Sequence, residues 1–133
     1  MTIIFAGDSI TGPQYLPVSE TFADLTAKSL GFDYLNTAAS GSKVSDWLPE
    51  VERRILSYKP SCCVLMVGTN DLLDEDFSLT SYLEQMGNLI DRIKVKLIVL
   101  SPPPSKLFKD IQPALTKGLR DLCLEKGVKF VDV

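Results

Sequence analysis

Short apolar runs that alternate with helical patterns constrain this chain more than any other feature. Residues 3–6, 32–35, 62–67, 97–100 and 128–133 each read as a strand. Continuous apolar runs of this length, without strict alternation, mark strands covered on both faces. Between them lie helical spacings. Phe22, Leu25 and Leu30 follow Ser19, with Gly31 as a stop. Val44, Trp47, Leu48, Val51 and Ile55 share one face, where Pro49 is tolerable only in a first turn. Leu79, Tyr82, Leu83, Met86, Leu89, Ile90 and Ile93 follow Ser78, a plausible cap. Ile111, Leu115, Leu119 and Leu122 run on to Gly127. Parallel neighbours need crossovers, so the pattern predicts a parallel sheet with helices on both faces.

The length of 133 residues gives one domain, residues 1–133, with enough chain for a real core. Formal charge is −3, acids and bases are interspersed, and no basic stripe points to nucleic acid. No apolar stretch reaches membrane length. The N-terminus has no basic region and runs straight into the first strand, so no signal peptide is expected. The expected location is cytoplasmic, with another export or assembly route left open. Cys62, Cys63 and Cys123 form no CxxC pair and read as reduced core side chains. No metal and no cofactor are expected.

In parallel sheets, ligands bind in the crevice outside the carboxyl ends of the strands. Three segments gather there: Gly7-Asp8-Ser9-Ile10-Thr11, the small-residue loop 36–42, and Gly68-Thr69-Asn70-Asp71. Taken singly, each reads better as a turn or a cap. Taken together they make a site for acyl transfer. Ser9 is placed to attack a carbonyl, and the backbone N–H groups of Ser9 and Gly41 with the Asn70 amide can hold the oxyanion. Such chemistry usually needs histidine as base, and this chain has none. Asp8 and Asp71 read as loop-fixing carboxylates, because an ordinary carboxylate is a poor base for a hydroxyl. Lys43, two residues past Gly41, is the conceivable substitute, provided its pKa is strongly depressed. Trp47 is either a sugar-stacking indole or, more simply, core.

These residues resemble the SGNH, or GDSL, hydrolase superfamily of esterases, lipases, thioesterases and carbohydrate deacetylases. Gly7-Asp8-Ser9, Asn36 through Gly41, and Gly68-Thr69-Asn70-Asp71 match its first three blocks in order and spacing. The resemblance implies a flavodoxin-like three-layer αβα sandwich with a five-stranded parallel sheet in order 2-1-3-4-5. It also implies Ser9, Gly41 and Asn70 as site residues, acting on a small-molecule or carbohydrate ester. Its fourth block, Asp-x-x-His, has no counterpart in this sequence.

Loss of the base from a serine triad costs about 10⁴ to 10⁶ in turnover, so little activity is expected of these residues alone. Three accounts stay open: a hydrolase whose histidine comes from elsewhere, a non-catalytic binding or structural module of a larger (for instance viral) assembly, and an enzyme using Lys43. A flavodoxin-like nucleotide binder is set aside, since residues 7–12 do not form a phosphate-cradling motif. With no helix following strand five, self-association or a partner chain is expected near that strand.

Overall fold

The computed structural model describes residues 2–133. Strands β1 (Thr2–Gly7), β2 (Asp33–Asn36), β3 (Cys62–Met66), β4 (Lys96–Leu100) and β5 (Lys129–Val131) form one parallel sheet in the order 2-1-3-4-5. The helices are α1 (Phe22–Leu30), α2 (Val44–Trp47), α3 (Val51–Arg54), α4 (Thr69–Leu72), α5 (Leu79–Arg92) and α6 (Gln112–Lys126). The fold is the expected flavodoxin-like α/β sandwich, and among the described residues no helix is long and apolar enough to cross a membrane.

The two faces of the sheet are covered unequally. Side chains alternate across a strand, so Ile4 and Ala6 of β1 face one side while Ile3 and Phe5 face the other. The first side packs against Trp47, Met86, Leu89, Leu115 and Leu119 and forms the larger core. Each such fully buried side chain contributes roughly 1.5–3 kcal/mol. The second side holds Ile3, Phe5 and Cys62 against Ala23, with Phe22 and Tyr34 edge-on to the Phe5 ring at 5.8 and 5.9 Å. Val64 and Ile98 on that side stay half-buried, and Val131 and Val133 are exposed.

Several elements differ from the sequence reading in detail. The cap of α1 is Thr21, whose hydroxyl accepts from the Asp24 N–H; Ser19 lies in a separate 3-10 turn, Val18–Glu20. The helix buries Ala23 and Ala27, while Leu25 and Leu30 are exposed, because small residues let the helix approach the sheet closely. The segment expected as one helix from Val44 to Ile55 is broken. Pro49 sits in a 3-10 turn, Leu48–Glu50, since proline has no N–H for the helical ladder. Strand five is shorter than 128–133. All three cysteines are free and buried, and burial pushes the Cys123 thiol up to about 11.

Candidate active site

The register of the sheet sets the site. Gly7 at the end of β1 lies opposite Met66 at the end of β3, so both chains leave the sheet at the same height. A Cβ on Gly7 would stand 2.2 Å from the Met66 carbonyl oxygen, so only glycine fits there. Gly68, at φ +150°, is pressed as closely: a Cβ would meet Pro102 Cγ at 2.7 Å and the Tyr82 hydroxyl at 2.8 Å.

After Gly7 the chain makes a tight turn around Asp8. The Asp8 carbonyl accepts from Thr11 and Gly12 N–H at 3.2 and 3.0 Å, and its carboxylate accepts from Ile10 N–H at 3.0 Å. Burial raises the Asp8 pKa, and the Ile10 N–H works against that rise. Among the described residues the Ser9 N–H has no acceptor, and the half-buried Ser9 hydroxyl has no partner. The Gly41 N–H is likewise free, on an exposed residue at φ +75° with open space where a Cβ would be. Unspent donors of this kind can receive developing negative charge.

Ser42 ties the three segments together. Its buried hydroxyl donates to the Gly7 carbonyl at 3.1 Å and accepts from the Trp47 indole N–H at 3.0 Å. Its own carbonyl accepts from Asn70 Nδ2 at 3.1 Å. One Asn70 N–H is thereby fixed and the other is left to donate. Ala39 N–H also donates to the Gly7 carbonyl, and Asn36 Nδ2 to the Thr11 carbonyl at 2.8 Å. The sequence reading missed Ser42. Its signal was Trp47 five residues on, because a buried indole N–H needs an acceptor. Trp47 itself is 1 % exposed and belongs to the core, so it has no ring face free for a sugar.

Asn70 and Asp71 lie on the short helix α4. The Asp71 carboxylate accepts from the Val44 N–H with its two oxygens at 3.4 and 3.3 Å, anchoring the start of α2. Burial pushes its pKa up to about 6, against the pull of that N–H and of the Lys43 charge. Lys43 corrects an expectation. Its ammonium bonds Asp74 Oδ2 at 2.6 Å, and this bond raises its pKa, whereas a substitute base needs a lowered one. Lys43 is therefore a strap between loop 36–42 and the acidic loop after α4. A cavity of about 480 Å³ is lined by Gly41, Lys43, Asn70, Leu73 and Asp74–Asp76. Ser9 is not among its lining residues; it reaches the same sheet edge through Gly7.

The fold is an α/β domain with a crevice at the carboxyl edge of its parallel sheet. The chain belongs to the GDSL-like lipase/acylhydrolase family, whose model matches residues 5–133. No curated protein sequence matches it. Among solved structures it is similar to a catalytic mutant of an acetylxylan esterase from Geobacillus stearothermophilus. There identity is 20% and the TM-score 0.82, over 98% of this chain and 75% of that one. A G-D-S-L family protein from Desulfitobacterium hafniense aligns at 15% identity and a TM-score of 0.84, over 98% of this chain and 76% of that one. A lipase/acylhydrolase from Enterococcus faecalis aligns at 20% identity and 0.81, over 98% and 75%. The catalytic mutants of the Geobacillus esterase replace a histidine, a serine and an aspartate by alanine.

Proposed function

We propose that residues 1–133 carry the nucleophile and the oxyanion donors of a serine esterase acting on an ester or O-acetyl group of a carbohydrate or lipid. Ser9 gives its proton to the base as it attacks the acyl carbonyl, and the tetrahedral oxyanion settles among the Ser9 and Gly41 N–H groups and the free Asn70 N–H. The base returns the proton to the leaving alcohol, and water then hydrolyses the acyl-Ser9 ester. The observation that carries this reading is the Asn70 amide fixed on the Ser42 carbonyl, with free N–H donors at Ser9 and Gly41. Asp8 and Asp71 hold the loops. The base is a histidine from outside these residues, since the sequence contains none and Lys43 is bound to Asp74. A partner chain supplying or flanking that base would sit near β5, where Val131 and Val133 are exposed.

The absent histidine also favours a second reading, a non-catalytic binding module of a larger assembly. One experiment separates the two. Hydrolysis of phenyl acetate by the chain and by Ser9→Ala is followed with and without added imidazole, a soluble stand-in for the base. The esterase reading expects a Ser9-dependent rate that grows with imidazole. Identical rates for the two proteins at every imidazole concentration favour the non-catalytic module.

A further inference from the structure

A cavity of about 600 Å³ lies beside the candidate active site, at the carboxyl ends of β4 and β5. Its floor is apolar and stiff, made by Pro102, Pro104 and Pro113. Gln112, 7 % exposed, holds that floor in place: its amide donates to the Pro102 and Pro103 carbonyls at 3.0 and 2.6 Å and accepts from the Ser105 N–H at 3.0 Å. The groove is thus preformed, which spares a ligand the cost of ordering it. Pro102 connects it to the site, since it packs directly on Gly68, two residues before Asn70.

The rim is cationic in a chain of net charge −3. Lys106, Lys109, Lys117 and Arg120 line the groove against one carboxylate, Asp132. Arg120 bonds Asp132 at 3.0 Å and Lys117 bonds Asp121 at 3.0 Å, whereas Lys106 and Lys109 have no carboxylate partner among the described residues. The opposite wall of the crevice, at Asp74–Asp76, is acidic. Lys43 on that wall is paired with Asp74, so a substrate that spans the crevice meets unpaired positive charge on the β4–β5 side.

We propose that this groove receives the anionic part of the ester substrate, a sugar acid whose apolar ring face lies on the prolines and whose carboxylate meets Lys106 and Lys109. The proposal rests on the esterase reading for the word substrate, but binding at the groove can be measured without catalysis. The ¹⁵N-labelled chain is titrated with glucuronate and with neutral methyl glucoside, and the same titrations are run on Ser9→Ala and on the doubly substituted Lys106→Glu, Lys109→Glu protein. Expected are amide shifts confined to residues 105–120 and 132–133, saturating at about millimolar glucuronate. Methyl glucoside binds at least about tenfold more weakly, the double charge reversal abolishes the glucuronate response, and added salt weakens it. Ser9→Ala leaves it unchanged. No shifts in the groove, equal shifts with methyl glucoside, or an undiminished response in the charge-reversed protein each overturn the proposal. Equal hydrolysis by the unsubstituted and Ser9→Ala proteins, with groove binding intact, would overturn the esterase reading instead.

Discussion

The carboxyl edge of the sheet is built in two different ways. At β1, β2 and β3 the chain ends are bonded to one another: Ser42 joins Gly7, Trp47 and Asn70, and Asp71 holds Val44. At β4 and β5 the ends are bonded to each other through Ser101, whose N–H donates to the Val131 carbonyl and whose hydroxyl donates to Asp132 and accepts from the Val133 N–H. They are also bonded to α6 through Gln112 and Arg120, and they open onto a proline-floored groove. The first half has the rigidity that an oxyanion hole requires, since donors stabilise a transition state only if they need no rearrangement. The second half has fixed walls and an unfilled interior. Under the proposed function, the first half carries the chemistry and the second holds the substrate.

The sharpest break of the first half is Gly7→Ala. Its Cβ would collide with the Met66 carbonyl and stand 2.7 Å from the Thr11 hydroxyl, so the β1–β3 junction must open. We expect a loss of more than about 4 kcal/mol, seen as failure to fold or a collapsed urea midpoint. Gly41→Ala is the contrast within the same half. It strains only a left-handed φ in open space, and should cost about 1–2 kcal/mol.

Next in size comes Ser42→Ala against Gln112→Ala, one clamp from each half. Ser42→Ala leaves the buried Trp47 N–H without its acceptor and the Gly7 carbonyl without one of its two donors, a cost of about 2–4 kcal/mol by urea denaturation. It should also broaden or shift the Asn70 side-chain amide resonances. Gln112→Ala should cost about 1–3 kcal/mol and leave those resonances in place, because its bonds lie wholly on the β4 side.

The Asp71 anchor gives a pH test of comparable size. Its folded pKa of about 6 lies above the ordinary carboxylate value of 3.8, so the folded state holds the extra proton between those values. Stability contributed at this residue therefore falls as pH rises from about 4 to 6, and levels off above. Asp71→Asn can still accept from Val44 and carries no charge to desolvate. Relative to it, the unsubstituted protein should lose on the order of 2–3 kcal/mol across that window. A pH-independent difference would remove desolvation as the cause. The smallest effect is expected for Lys43→Met. That pair is about two-fifths exposed on both sides, so solvent screens it and breaking it should leave the urea midpoint nearly unchanged.

Much of this architecture is legible in the sequence, for identifiable reasons. The strands are apolar on both faces and bounded by Gly and Pro, so their existence and order follow from periodicity and crossover rules. The three loops are read from their small and polar residues at strand ends. What is not legible is where burial overrides pattern. Ala23 and Ala27 are buried under α1 while Leu25 and Leu30 face outward, because closeness of approach favours the smaller side chains. Ser42 sits in a loop of small polar residues, and nothing local marks it as the buried one. Lys43 stands two residues past Gly41 in sequence, but its charge is claimed by Asp74, which is 31 residues away in sequence and adjacent in space.

The most direct test of the central claim, a competent nucleophile facing preformed donors with no base of its own, is intact-protein mass spectrometry after p-nitrophenyl acetate in the absence of imidazole. Without a resident base deacylation is slow too, so the account predicts a single acetyl that accumulates on Ser9. It should be mapped by peptide analysis, absent in Ser9→Ala and strongly reduced in Asn70→Ala. Acetylation spread over lysines, equal in all three proteins and never on Ser9, would contradict it.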